Sequence, residues 1–269
     1  MDNILKDLSE RVPRDDSEYL ADDGLIHCRR CNGAREIVVK FFGEQQKVRC
    51  ICKCKQDELA AEREADKRET IEKNRRACFR GSKLIGATFS GSDDSEGLMK
   101  GRNYAKHFAE MRRLGKGLLF YGPVGTGKSH IAACIANEVI NQGYLARMTN
   151  ISTMVNELQA SFDGRAEYIY NLQKYDLLII DDFGIERASE YMNEQVFNIV
   201  DSRISSGLPM IVTTNLSIED MANAPGVDNR RVYQRILEHC HPVEITGASR
   251  RLRKMKNDFG RMEQLLKGE

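Results

Sequence analysis

From residue 82 onward, short apolar runs alternate with segments whose apolar residues recur every three or four positions. "GLLFYG" (117–122), "YLARMTN" (144–150), "DLLIIDD" (176–182), "PMIVTTN" (209–215) and "HPVEITG" (241–247) read as strands. Between them, "GKSHIAACIANEVINQ", "ISTMVNELQASF" and "YMNEQVFNIVDSRISS" carry the helical period, with Asn150 or Ser152 available to cap the second. This alternation predicts an α/β fold, a parallel sheet with helices on both faces. "FSGSDDSEG" (89–97) reads as a loop, and no internal repeat interrupts the pattern.

Upstream the pattern changes. Residues 55–78, "KQDELAAEREADKRETIEKNRRAC", are almost entirely charged. Opposite charges four apart (Glu64 with Arg68, Glu69 with Lys73, Glu72 with Arg76) each add about 0.2–0.5 kcal/mol to a helix. No apolar stripe runs along it, so a solvated connecting helix is predicted. Residues before it lack helical periodicity, and "NGAREIVVKFFGEQQKVR" alternates like a β-hairpin with Gly43-Glu44 at the turn. The chain therefore divides into a module over 1–54, a helical linker over 55–81 and a larger domain over 82–269.

Composition narrows the class. Apolar content of 41% and a net charge of +1 fit a water-soluble chain and exclude a globally basic nucleic-acid binder. No uncharged run approaches the roughly 18 residues a membrane span needs. The charged N-terminus has no apolar signal segment, so a cytoplasmic protein is expected, with no membrane partner. Five of the eight cysteines fall between Cys28 and Cys54. In such a compartment this clustering indicates metal ligation rather than disulfides.

The chemistry begins at Gly122. Gly122, Pro123, Val124, Gly125, Thr126, Gly127, Lys128 and Ser129 match G-x-x-x-x-G-K-[ST], with His130 behind them, between a predicted strand and a predicted helix. Glycines allow successive N–H groups to face a phosphate, and the helix start adds its positive dipole end. Lys128 is then placed for the β- and γ-phosphates of ATP, and Ser129 for Mg²⁺. "LLIIDDFG" puts Asp181 and Asp182 at the C-terminal end of a strand, where open α/β sheets bind ligands. Asp181 suits the metal, and Asp182 suits orienting or deprotonating water. Asn215 ends the next strand, well placed to position that water. Arg230, Arg231, Arg235, Arg250 and Arg251 supply candidate cations for a γ-phosphate in transit.

Taken in order, "GPVGTGKS", "LLIIDD", "TTN", "RVYQRILE" and "GASRR" resemble the AAA+ ATPases of the bacterial and phage helicase-loader group, together with transposition helper ATPases of the IstB type. The resemblance covers roughly residues 80–255. It implies a P-loop sheet of five parallel strands in the order 5-1-4-3-2. It also implies Asn215 in the sensor-1 place, Arg235 as an arginine finger acting on a neighbouring subunit, and Arg250 as sensor 2 acting in cis. Where many AAA+ proteins carry Glu, this chain has Asp182, which implies slow, switch-like turnover. Few residues follow the last strand, so a minimal lid of one C-terminal helix is expected.

Cys28-x2-Cys31 and Cys50-x-Cys52-x-Cys54 offer five thiolates for a structural Zn²⁺ site that takes four. The sequence does not decide which of the last three is spare, although "CKC" favours Cys52 and Cys54; His27 is a possible substitute. Loaders of the DnaI type are similar in placing a zinc module ahead of the ATPase to grip the replicative helicase. The expected activity is ATP-dependent loading of that helicase onto single-stranded DNA by an oligomer assembled on ATP. The alternative is a helper ATPase on double-stranded DNA that recruits a transposase; a small-molecule kinase leaves "TTN" and Arg235 without a place. The tail from 249 to 269 carries seven Lys or Arg against three Asp or Glu, a local patch suited to nucleic-acid phosphates.

Overall fold

The computed structural model describes residues 16–90, 95–160, 164–184 and 190–267. Its contacts divide the chain into two compact units, residues 1–70 and 71–269. The loop expected at 89–97 and the end of the helix expected from 151 lie partly outside the described residues.

In the first unit, β1 (Glu18–Leu20) and β2 (Ile26–Cys28) form one antiparallel pair, and β3 (Glu36–Phe41) and β4 (Glu44–Arg49) another. Phe41 pairs with Glu44, so the two-residue turn is Phe42-Gly43, one position earlier than the sequence suggests. Both turn residues have positive φ, 49° and 89°. This backbone matches the twist of a two-residue hairpin. Among its described residues the unit buries few apolar side chains: Ile26, Cys28 and Cys52. Glu18 sits between Arg35 (2.7 Å) and Arg49 (2.9 Å), and these guanidiniums hold its carboxyl below the usual range against the effect of burial.

The helix α1 (Lys53–Phe79) begins in the first unit and ends in the second. Glu64 and Arg68 pair as expected at 3.7 Å. Glu72 instead pairs with Arg75, whose guanidinium also reaches Asn137 and Asn141. The final turn is not solvated: Cys78 and Phe79 are buried in the second unit's core, with Ile71 packed against it.

That second unit holds five parallel strands: β5 (Gly117–Tyr121), β6 (Ala146–Thr149), β7 (Leu177–Ile180), β8 (Met210–Thr213) and β9 (Cys240–Glu244). Their order across the sheet, β6-β7-β8-β5-β9, is the 5-1-4-3-2 arrangement counted within the domain. Alternate strand residues serve opposite faces. Leu118, Phe120, Leu177, Ile179 and Ile211 join one core cluster; Leu119, Leu178, Ile180, Met210 and Val212 join the other. The first cluster is covered by α2 (Glu96–Lys106), α3 (Phe108–Leu114) and α4 (Lys128–Asn141), and the second by α5 (Ile151–Ala160), α6 (Arg165–Leu172), α7 (Glu190–Ser205), α8 (Ile218–Ala222) and α9 (Val227–His239). Asn150, rather than Ser152, caps α5 by accepting from Thr153 N at 2.8 Å. One helix, α10 (Arg250–Lys267), follows the last strand. None of the described helices is long and apolar enough to cross a membrane.

Arg203, on α7, is fully buried. It donates to the carbonyls of Pro209 (2.8 Å), Tyr175 (2.8 Å), Asp176 (3.1 Å) and Leu172 (3.3 Å). Burial draws its pKa down to about 10, which leaves it charged at neutral pH. One side chain thus satisfies backbone acceptors at the starts of β7 and β8 and the end of α6.

Candidate functional site

Gly122 to Gly127 leave β5 and wrap back over the start of α4. At Gly122, φ is 130°, and a Cβ there would lie 2.5 Å from the Ile245 carbonyl oxygen. At Gly125, φ is 84°, and a Cβ would lie 2.2 Å from Ser249 Oγ. At Gly122 a side chain is excluded by the backbone it would strike, and at Gly125 chiefly by the left-handed φ. Within the loop, Thr126 Oγ1 donates to Pro123 O at 3.0 Å. Lys128 Nζ donates to Gly122 O and Pro123 O, each at 2.7 Å. Gly127 precedes α4 and offers no side-chain cap, and the first turn carries no acidic residue. By contrast, α8 is closed by a reciprocal Ser217–Asp220 capping box. The leading N–H groups of α4 are thus left for an anion.

A cavity of about 540 Å³ lies over this loop, lined by Val124, Gly125, Gly127, Lys128, Ser129 and His130. Asp181, Asp182, Asn215 and Arg250 line the same cavity. The sheet explains the convergence: β5, β7 and β8 are parallel and adjacent, so their C-terminal ends open on one edge. Burial lowers the Lys128 pKa, while Asp182 and Asp181 act in the opposite direction. His130 is held below its ordinary value by burial and by Arg250. Arg250 is fixed at its root, its N–H bonding Gly125 O at 2.9 Å.

Three further residues line the cavity: Leu84, Thr213 and Arg251. Leu84 lies in a turn (Lys83–Gly86) upstream of any motif. Thr213 was legible as a hydroxyl at the end of a strand beside the aspartates, within "TTN". Arg235 does not reach this cavity. It stands on α9, paired with Asp201 of α7 at 2.9 Å and beside Glu238, and faces Phe197 and Arg231.

In the first unit, the sulfur atoms of Cys28, Cys31, Cys52 and Cys54 lie within 4.8 Å of one another. Cys54 Sγ is 3.4 Å from Cys52 Sγ and 3.6 Å from Cys28 Sγ. Tetrahedral zinc with 2.3 Å bonds separates its sulfur ligands by about 3.8 Å, so the donor set fits that ion. Arg35 draws the Cys52 thiol down to about 6, whereas hydrogen bonds with Cys31 and Cys52 push Cys54 up to about 12. Cys50 Sγ turns away, to the Ala34 carbonyl at 3.4 Å. His27 is engaged elsewhere, with Asp23 (2.9 Å) and Asn32 O (3.0 Å), and does not stand in for a thiol.

Comparison with known proteins gives the site a lineage. The chain is 25% identical over 211 residues to the replicative helicase loader DnaI of Bacillus subtilis, covering 72% of this chain and 68% of that one. It is 32% identical over 133 residues to the replicative helicase loader DnaC of Escherichia coli K12, covering 48% of this chain and 53% of DnaC. It thus spans about half the length of that relative. A crystal structure of DnaI superposes with a TM-score of 0.53 and 27% identity, over 62% of this chain and 92% of that one. The profile of the IstB-like ATP-binding proteins matches residues 109–258, more than half of the chain. The chain therefore belongs to the IstB-like ATP-binding protein family.

Proposed function

We propose that this chain is an ATPase that loads a replicative helicase onto single-stranded DNA. The observation that carries the reading is the single cavity in which Lys128, Ser129, Asp181, Asp182, Asn215 and Arg250 meet, in a chain related to DnaI over most of its length. Bound Mg·ATP would supply a γ-phosphate open to attack by water and the free energy of its hydrolysis. Lys128 and the leading amides of α4 hold the phosphates. Ser129 and Asp181 offer the oxygens for the cation. Asp182 accepts a proton from water, and Asn215, donating to Asp182 Oδ1 at 3.0 Å, keeps that carboxylate aimed. Arg250 neutralises charge in cis. Arg235, standing outside its own cavity, serves a neighbouring subunit and ties turnover to oligomerisation. The short side chain of Asp182 suits slow turnover, as a switch requires.

The same reading keeps three parts: a zinc module (1–54), a helical link (55–81) and the ATPase (82–269). Four thiolates on a unit with so small a core make metal part of its fold. Chelation is expected to release one zinc per chain and collapse the far-ultraviolet signal of the module while the ATPase unit keeps its melting transition. Cys50→Ser should retain the metal and Cys54→Ser should lose it. A module unchanged after metal removal would count against zinc.

Partner capture tests the function itself. On one face of the β3–β4 hairpin, Ile37, Val39, Phe41 and Val48 are all exposed, and Phe42 at the tip is 96% exposed. Such a surface suits a protein partner. Full-length protein with a non-hydrolysable ATP analogue is expected to retain the hexameric replicative helicase, and Phe42→Asn to weaken that capture without slowing turnover. One second reading, a helper ATPase for a transposase, has only distant support from the IstB-like profile. Retention of a transposase with no helicase would decide for it and against loading.

A further inference from the structure

Between β7 and β8 the ladder of backbone hydrogen bonds ends at Ile180 and Val212. Beyond that point Asp181 still donates its N–H to Thr149 O of β6 at 2.8 Å, and Asp182 takes φ 53°, a left-handed conformation unusual for a residue with a side chain. Two threonines replace the ladder there. Thr213 Oγ1 donates to Asp181 Oδ1 at 2.6 Å and accepts from Asp182 N at 2.9 Å. Thr213 O accepts from Phe183 N at 2.7 Å, and Thr214 Oγ1 donates to Phe183 O at 2.7 Å. Both threonines are buried, at 1% and 0% exposure.

The geometry points to Thr213 as a positioning residue for the acidic pair, a role that rests on the ATPase reading. One hydroxyl holds both aspartates at once. Its proton fixes one oxygen of Asp181, which leaves the other for a cation. Its lone pair holds the Asp182 amide, and with it the backbone turn that carries the second carboxylate into the cavity. Asn215 fixes that carboxylate from the far side, at 3.0 Å. Thr213 at the end of β8 and Asn215 two residues on therefore meet Asp181 and Asp182 just beyond the end of β7: one side-chain partner for each carboxylate. A hydroxyl is required because it alone donates to the first aspartate and accepts from the second. Thr214, whose hydroxyl meets only backbone groups, supplies the contrast.

The test compares Thr213→Val, Thr213→Ser and Thr214→Val in the full chain. Binding of a fluorescent ATP analogue is titrated in chelator and then against Mg²⁺, alongside turnover and thermal melting. Thr213→Val is expected to bind nucleotide in chelator as wild type does. Its Mg²⁺ requirement should rise, and its turnover fall, by about 10–100-fold, the usual cost of losing a group that orients a metal ligand. Thr213→Ser should restore both, and Thr214→Val should melt earlier with an unchanged Mg²⁺ requirement. A wild-type Mg²⁺ requirement in Thr213→Val, or an equal loss in Thr214→Val, would overturn the assignment while wild-type protein still bound nucleotide. Wild-type protein that ignored nucleotide altogether would overturn the ATPase reading instead.

Discussion

Lys128→Ala is expected to lower ATP affinity by about a hundredfold or more, with the fold intact. Each charge-assisted hydrogen bond to a phosphate contributes about 1.5–3 kcal/mol, and 1.4 kcal/mol is tenfold in affinity, so losing two such contacts suffices. A second effect acts in the same direction. The amine also donates to Gly122 O and Pro123 O, so its loss removes the clamp on the loop that presents the amides. Titration of a fluorescent ATP analogue, with thermal melting as the fold control, measures the outcome. Wild-type affinity in the variant would defeat the phosphate-cradle reading. Arg235→Ala is the informative contrast: it should keep nucleotide, lose turnover, and recover some of it when mixed with Asp182→Asn protein, because the mixed interface pairs an intact arginine with an intact aspartate.

Arg203→Met should destabilise the ATPase unit strongly. The side chain is buried and saturates four carbonyls from three segments. Pro209 O and Leu172 O keep long backbone donors, Leu178 N at 3.5 Å and Tyr175 N at 3.4 Å, so Tyr175 O and Asp176 O are the acceptors left bare. At about 1–3 kcal/mol each, a loss of about 4 kcal/mol is expected. For a domain of this size, that lowers the melting temperature by roughly 8–16 °C. Calorimetry of the full chain would show the second unit's transition shifted downward. A shift under a few degrees would mean that water or backbone movement satisfies those carbonyls.

The sheet was largely legible because both of its faces are buried. Apolar runs such as "LLII" have no polar register that could mislead, and each strand's ends lie within three residues of their expected places. The cavity was legible for a related reason: parallel strands bring their C-terminal ends together, so motifs far apart in sequence meet. What stayed hidden depends on register and distance. The hairpin turn falls at Phe42-Gly43 because Phe41 pairs with Glu44, a cross-strand fact that glycine counting misses. The spare cysteine follows from where the returning strand delivers Cys50, next to the Ala34 carbonyl. Arg203 sits on a helix among polar neighbours in sequence, and nothing local reveals that its guanidinium ends among carbonyls of other segments. Glu72 exchanged its expected partner because Arg75 is already anchored by two asparagines of α4.

Phe42 illustrates a divided demand on a single position. Its backbone turns the way glycine or asparagine would choose, and a side chain with a Cβ costs about 1–2 kcal/mol there. Foldedness alone would favour a small polar residue at this tip, yet the chain projects a phenyl ring into water. Within the chain the ring meets only its neighbour Phe41, edge to face with centroids 4.8 Å apart, a contact of about 0.5–1.5 kcal/mol that roughly offsets the backbone cost and leaves most of the phenyl surface facing outward.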